Sequence, residues 1–236
     1  MNVMGDFIYK KAKPLPVILL LDTSGSMSID NNIGTLNDAV RTMLRDFRDA
    51  SNSEASISVS IITFGKNTGV YQELKDANDI DISAINMEAY GMTPMGQAIS
   101  IAKAMIEDKE QIPSRAYRPT VVLVSDGAPT DNWSSALNSF VNEGRSSKCY
   151  RMAMGIGSGT EGPNYDVLRQ FVSNEEQVFT AADAGAISKF FQYVTISTTG
   201  RSSSANPNIV PKRESIFGTP ETETEDEDDI SSLLSY

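Results

Sequence analysis

PVILLLDTSGS, residues 16–26, decides the fold. Five consecutive apolar residues, Val17–Leu21, are too few for a membrane span. They carry no alternation, which is the pattern of a central strand covered on both faces. The strand ends on Asp22. The next four residues, Thr23-Ser24-Gly25-Ser26, have turn chemistry, and with Asp22 they put one carboxylate and two hydroxyls at i, i+2 and i+4. With the chain curling about Gly25, those oxygens can point to a common centre. In an open α/β sheet the loops beyond the carboxyl ends of the strands form the ligand crevice.

Outward from this stretch, the pattern alternates strand and helix. Asn37–Ala50 puts Ala39, Val40, Met43, Leu44 and Phe47 on one helical stripe. Ile57–Phe64 reads as a strand, Val70–Leu74 as a short strand pairing back at the edge, and Thr93–Ile106 as a helix. Thr120–Ser125 is a second fully apolar strand, followed by a helix near Trp133–Asn142. Tyr150–Ile156 is a strand, Tyr165–Phe171 a helix, Val178–Thr180 a last short strand and Ala184–Tyr193 a closing helix. Strands separated by helices of this length predict an α/β fold: a Rossmann-like, doubly wound, mostly parallel six-stranded sheet with one antiparallel edge strand and helices on both faces.

The chain has 236 residues, enough for one sizeable core and a tail. Composition changes near Ser197, so three segments are expected: an N-terminal extension (1–13), a folded domain (14–195) and a flexible acidic tail (196–236). The tail carries eight acids against three bases and too little apolar surface to offset its ordering entropy. Thr222 and Thr224 stand between glutamates there, as candidate phosphorylation sites.

Composition excludes several chemistries. There is no histidine and a single cysteine, Cys149, which removes Cys/His zinc clusters, histidine general bases and Ser-His-Asp triads. The net charge of −11 argues against a nucleic-acid binder. The amino terminus has no secretory apolar core, and no stretch is long enough to cross a membrane, so a cytoplasmic location is expected. The glycine-rich run Gly155–Gly162 lacks the lysine and spacing of a phosphate loop and reads as a loop flanking the crevice. Arg41, Arg45 and Arg48 recur at helical spacing and read as a solvated face.

What remains is oxygen chemistry. Ser125-Asp126-Gly127 repeats the strand-end aspartate and glycine turn of the first loop, and Gly91–Gly96 adds Thr93 at the start of a helix. Asp22, Ser24, Ser26, Thr93 and Asp126 supply two carboxylates and three hydroxyls. This set suits a hard divalent cation, Mg²⁺ or Mn²⁺, that retains water or an open position. An incoming carboxylate would complete both the geometry and the charge.

With its order, spacing and context, this set resembles the metal-ion-dependent adhesion site of the von Willebrand factor type A domain, over roughly residues 14–195. The resemblance implies that Ser24, Ser26 and Thr93 ligate the ion directly when a partner is bound. Asp22 and Asp126 would act directly or through water, and the partner's Asp or Glu would take the open position. Finer similarity, in Leu15–Met27, Gly91–Gly96 and Ser125–Trp133, is to bacterial TerY-like proteins of tellurite-resistance and stress operons. It implies a Ser/Thr kinase or a metal-dependent protein phosphatase as partner, and a monomer or a subunit of a hetero-complex. The function expected is a metal-dependent protein–protein interaction module that is not an enzyme. Two other readings stand beside it. One is a Mg²⁺-dependent phosphatase or phosphotransferase using Asp22 as nucleophile, for which no acid/base partner is evident. The other is a metal-free structural scaffold.

Overall fold

The structure is a computed structural model, and it describes residues 12–51, 55–157, 163–173 and 178–210. The elements run β1 (Lys13–Thr23), α1 (Asn32–Ala50), β2 (Ala55–Gly65), β3 (Gly69–Asp76), α2 (Met95–Glu107), β4 (Thr120–Ser125), α3 (Trp133–Asn142), β5 (Tyr150–Ile156), α4 (Pro163–Phe171), β6 (Phe179–Ala181) and α5 (Ala184–Ser202). They form one six-stranded sheet in the order β3-β2-β1-β4-β5-β6. All pairings are parallel except β2 with β3, which is antiparallel at the edge. This is the doubly wound sheet that the strand–helix alternation predicts.

The unbroken apolar run of β1 is explained by its two faces. Leu15, Val17, Leu19 and Leu21 point into a core shared with α1 (Leu36, Val40, Phe47) and α5 (Ile187, Phe190, Val194). Ile18 and Leu20 point the other way, to α2 (Ala98, Ile99, Ala102), α3 (Phe140) and α4 (Leu168, Phe171). Each strand residue alternates between the two cores with the period of two that the pleat imposes, so neither face tolerates a polar position until Asp22. β2 keeps the same register beside β1, Asp22 opposite Phe64, and β4 pairs from Val17 with Thr120 to Leu21 with Val124. Strands β1 and β4 therefore end at the same level, with Asp22 and Ser125 side by side at the carboxyl edge of the sheet.

Two readings of the sequence change. Arg41 and Arg48 do not form a solvated face. Arg41 Nε donates to the Ile85 carbonyl and Arg48 Nε to that of Ala77, both at 2.9 Å, and Arg48 also donates to the Ile80 carbonyl. Together with Asn37, whose amide exchanges hydrogen bonds with Met87 backbone at 2.8 and 2.9 Å, they hold the irregular crossover 77–88 against α1. A crossover with only two short 3₁₀ turns, Ala77–Asp79 and Ile82–Ala84, must find partners for its remaining carbonyls elsewhere, and guanidinium forks supply them. The second change is at the carboxyl end. Helix α5 continues through the composition change at Ser197 to Ser202. Its last turn is anchored by Arg201, which is fully buried and donates to Thr120 Oγ1 at 2.6 Å, the Arg118 carbonyl at 2.5 Å and the Pro207 carbonyl at 2.7 Å. Serines and threonines 195–202 look like linker composition, yet Thr195, Ser197, Thr198 and Ser202 are buried. The packed structure thus runs past residue 195.

Cys149 is buried, and burial pushes its thiol up to about 12 in spite of the nearby Arg151, Arg118 and Arg145. It is a small core residue, not a reactive one. Among the described residues no helix is long and apolar enough to cross a membrane.

Candidate metal centre

The first loop leaves β1 at Asp22 and enters a tight turn, Gly25–Asn31, anchored by the buried Met27. Asp22 has no exposure to solvent. Its Oδ1 accepts the Ser24 backbone N–H at 2.8 Å, and its Oδ2 accepts the Ser125 hydroxyl at 2.5 Å. From there a relay of oxygens leads outward: Ser24 Oγ lies 3.0 Å from Ser26 Oγ, and the Ser26 hydroxyl donates to Asp126 Oδ1 at 2.8 Å. Ser24 is buried, Asp126 partly buried and Ser26 exposed, so the relay runs from the sheet edge to the surface.

The middle loop is tied to both others. Gly25 N–H donates to the Gly91 carbonyl at 3.0 Å, and Tyr90 N–H to the Thr23 carbonyl at 2.8 Å. On the other side, Thr93 N–H donates to Thr130 Oγ1 at 3.1 Å and Thr130 N–H returns to the Thr93 carbonyl at 2.9 Å. A methyl placed on Gly127 would lie 3.4 Å from Thr93 Oγ1, which puts that hydroxyl over the Asp126 loop. Gly91 has a φ of +87°, and a Cβ there would stand 2.6 Å from the Lys66 Cα and N. Both the left-handed backbone and the close approach require glycine. Helix α2 has no capping side chain of its own at Pro94. Asp131 replaces it from the third loop, accepting the Gly96 and Gln97 N–H groups at 3.0 and 2.8 Å.

Of the five oxygen-bearing residues singled out from the sequence, Asp22 ends β1 and the other four are on three loops fastened to one another at the same edge of the sheet. Asp22, Ser24, Ser26 and Asp126 belong to one hydrogen-bonded chain, while Thr93 is a largely buried residue whose Oγ1 makes no hydrogen bond to a described residue and stays open to the crevice. Such a hydroxyl suits a ligand that is not a protein group. Sequence reasoning missed Ser125, Thr130 and Asp131. Ser125 was visible as the residue before the strand-end aspartate, but nothing in its own identity showed that it would face Asp22 across β1 and β4. Thr222 and Thr224 lie outside the described residues, as do residues 158–162 of the glycine-rich run.

The electrostatics are one-sided. Burial raises Asp22 to about 6, with Asp126 adding repulsion, although Ser125 and Ser24 hydrogen bonds pull it back. Burial raises Asp126 as well, against the Ser26 hydrogen bond. Among the described residues neither carboxylate forms an ion pair. Two carboxylates held close together without a cationic side chain are stabilised in their charged forms by a bound cation. The donor set is oxygen only, and no group of three His, Cys, Asp or Glu side chains occurs among the described residues. It fits a hard divalent ion with few protein charges and an open coordination position.

The von Willebrand factor type A domain model matches residues 17–193. The chain belongs to the von Willebrand factor type A domain family. Solved structures with the same fold include the pilus adhesin SpaC of Lactobacillus rhamnosus GG, 17% identical with a TM-score of 0.63 over 78% of this chain and 30% of that one. A von Willebrand factor type A protein from Catenulispora acidiphila is 19% identical, with a TM-score of 0.58 over 80% of this chain and 43% of its own. The proximal thread matrix protein 1 of the mussel byssus, in a form with a zinc-occupied MIDAS motif, is 21% identical, with a TM-score of 0.58 over 78% and 45%. An uncharacterized protein of Mycobacterium tuberculosis, Rv2850c, is 28% identical over 117 residues, 48% of this chain and 18% of that protein. The chain thus spans less than half the length of each of these relatives. Type A domains are generally interaction modules, commonly using a metal at this site.

Proposed function

We propose that this type A domain captures a partner protein by drawing the partner's Asp or Glu to a divalent cation held by Asp22, Ser24, Ser26, Thr93 and Asp126. The observation that carries the reading is the run of oxygens from Ser24 through Ser26 to Asp126, beside an Asp22 carboxylate fastened to the Ser24 N–H and a Thr93 hydroxyl with no hydrogen bond to a described residue. Bound there, the ion supplies Lewis acidity toward an outside carboxylate. Ser24, Ser26 and Thr93 offer neutral oxygens toward it. Asp22, fixed by Ser24 N–H and the Ser125 hydroxyl, orients the inner part of the set and supplies charge from below. Because neutral hydroxyls, and not carboxylates, face the open side of the ion, an anionic oxygen from outside is favoured there.

Mg²⁺ is the ion we assign, with Mn²⁺ as its closest substitute, because all donors are oxygens. Zinc in the byssus protein's site makes Zn²⁺ the competitor to test. The binding reading is favoured over a phosphatase or phosphotransferase by the state of Asp22: it is without solvent exposure and both its oxygens are engaged, which is the reverse of what an attacking carboxylate needs. It is favoured over a metal-free scaffold by the two raised carboxylates, neither of which has a cationic partner among the described residues.

We further assign the protein to a cytoplasmic, bacterial stress or phosphorylation-linked system of the TerY-like kind. The partner is a Ser/Thr kinase or a metal-dependent protein phosphatase, and Thr222 and Thr224 are phosphorylation sites. The support is the sequence similarity of Leu15–Met27 and Ser125–Trp133 and the setting of the two threonines among acids. The test is an affinity capture in Mg²⁺, repeated with chelator and with Ser26→Ala. Loss of one defined partner in both controls is expected; capture that survives removal of divalent metal overturns the reading.

A further inference from the structure

The loops that carry the candidate metal centre also carry three of the largest exposed apolar side chains. Ile29 is 61% exposed, Tyr90 63% and Met92 66%. Ile29 lies on the first loop, Tyr90 and Met92 on the second, and the two loops are joined at Gly25 and Gly91. Asp30 lies on the first loop, the exposed Glu88 precedes Tyr90 on the second, and Lys66 stands beside it, where its N–H donates to the Tyr90 carbonyl at 2.7 Å, so the attraction for an acidic segment comes from the ion and not from this rim. A fitting occupant combines a carboxylate for the ion with apolar side chains next to it. This chain contains such a segment. In ETETEDEDDISSLL, residues 221–234, five consecutive acids (Glu225–Asp229) are followed directly by Ile230 and then by Leu233 and Leu234.

The geometry permits the segment to reach the site. The described chain ends at Val210, just after Pro207 and Asn208. These two are fastened to Arg201 and to Arg118, at the amino-terminal end of β4. The candidate site is at the opposite end of the sheet, beyond Asp22 and Ser125. The eleven residues of β1 rise about 3.3 Å each, so the sheet is roughly 35 Å long. Fourteen residues lie between Val210 and Glu225, and the span extends to about 50 Å, so every acid from Glu225 to Asp229 can arrive at the site with chain to spare. Tethering keeps the segment at a local concentration that a separate partner must exceed.

We infer that residues 225–234 act as a ligand in cis: one carboxylate of Glu225–Asp229 takes the open position on the cation, and Ile230, Leu233 and Leu234 cover Ile29, Tyr90 and Met92. The inference rests on the metal-dependent reading above and adds regulation to it, since an external acidic partner must displace the chain's own segment. Phosphate on Thr222 or Thr224 would add negative charge beside the ligand and alter that competition.

The experiment uses the full ¹⁵N-labelled chain titrated with substoichiometric Mn²⁺, whose unpaired electrons broaden nearby amide signals. Broadening of the Ser24, Ser26 and Thr93 amides together with those of residues 225–234 is expected, unchanged on tenfold dilution. Replacing all five acids, Glu225→Gln, Asp226→Asn, Glu227→Gln, Asp228→Asn and Asp229→Asn, should restore the signals of 230–234 and leave the loop amides broadened. Tyr90→Ser with Met92→Ser should restore them in part. Loop amides that broaden while 225–234 stay sharp overturn the inference and leave the metal-dependent reading standing. Loop amides that stay sharp overturn both. Tail broadening that persists in Ser26→Ala shows Mn²⁺ held by the acids themselves, and broadening lost on dilution shows a second copy's tail; either result overturns ligation in cis.

Discussion

The Ser125 hydroxyl donates to Asp22 Oδ2 at 2.5 Å across 103 residues of sequence, joining the carboxyl ends of two neighbouring parallel strands. This bond settles which way the Asp22 carboxylate faces, because the Ser24 N–H takes the other oxygen. Ser125→Ala should therefore leave the sheet intact and weaken Mg²⁺ binding by about 10- to 100-fold, the range for partners that orient a ligating group. Titration calorimetry checks this, with Ser125→Thr as the variant that keeps the hydroxyl and most of the affinity.

Acidity of the buried carboxylate makes the metal-free domain pH-dependent. Asp22 is raised by burial from 3.8 when unfolded to about 6 when folded. Its contribution to stability is therefore complete below pH 3.8 and is lost as pH rises through about 6. The loss amounts to about 3 kcal/mol by linkage. Asp126 is shifted in the same direction. Urea unfolding in chelator should show the wild type losing stability between about pH 4 and pH 7 relative to Asp22→Asn, which has no charge to bury. Adding Mg²⁺ should reverse the loss in the wild type alone.

Backbone strain at Gly91 holds the middle loop in place. Alanine there adopts a left-handed conformation at a cost of about 1–2 kcal/mol, and its Cβ also meets the Lys66 backbone at 2.6 Å. The relief available is a shift of residues 90–93, which carries Thr93 away from the Asp126 loop. Gly91→Ala should thus lower both the unfolding midpoint and the Mg²⁺ affinity. A variant that lost stability and kept full affinity would show that Thr93 does not depend on this turn.

Much of this was legible in the sequence for physical reasons that differ from one element to the next. The run Val17–Leu21 could only be a strand with apolar cover on both faces, and it placed Asp22 at a strand end. The antiparallel edge followed from the short gap between Phe64 and Val70, too short for a crossover helix. The oxygen-bearing residues were read from their spacing beyond strand ends. What the sequence concealed were contacts between distant elements: Ser125 on Asp22, Asp131 as a cap for α2, and Arg41 and Arg48 under the 77–88 crossover. A basic residue at helical spacing looks solvated unless one knows which carbonyls lie over it. Composition misled at the carboxyl end, where Ser-Thr-rich helix α5 resembles linker.

That helix end supplies the last prediction. Arg201 is fully buried with no carboxylate partner among the described residues, and burial pushes its guanidinium down to about 10, with Arg118 adding repulsion. Three acceptors offset this cost: Thr120 Oγ1 and the carbonyls of Arg118 and Pro207. Replacing Arg201 by methionine regains the desolvation of the charge and leaves two buried acceptors and one partly buried one short of a donor, each buried one worth about 1–3 kcal/mol. The orphaned acceptors outweigh the regained desolvation, because the guanidinium was already satisfied by well-placed oxygens. Arg201→Met should destabilise the domain by roughly 2–4 kcal/mol in urea. Amide exchange should rise first at Thr199–Ser202 and at Arg118, far from the candidate metal centre, so Mg²⁺ affinity of the folded variant should stay within about twofold of wild type. Unaltered exchange at Arg118 would mean that β4 keeps its amino-terminal end without the arginine.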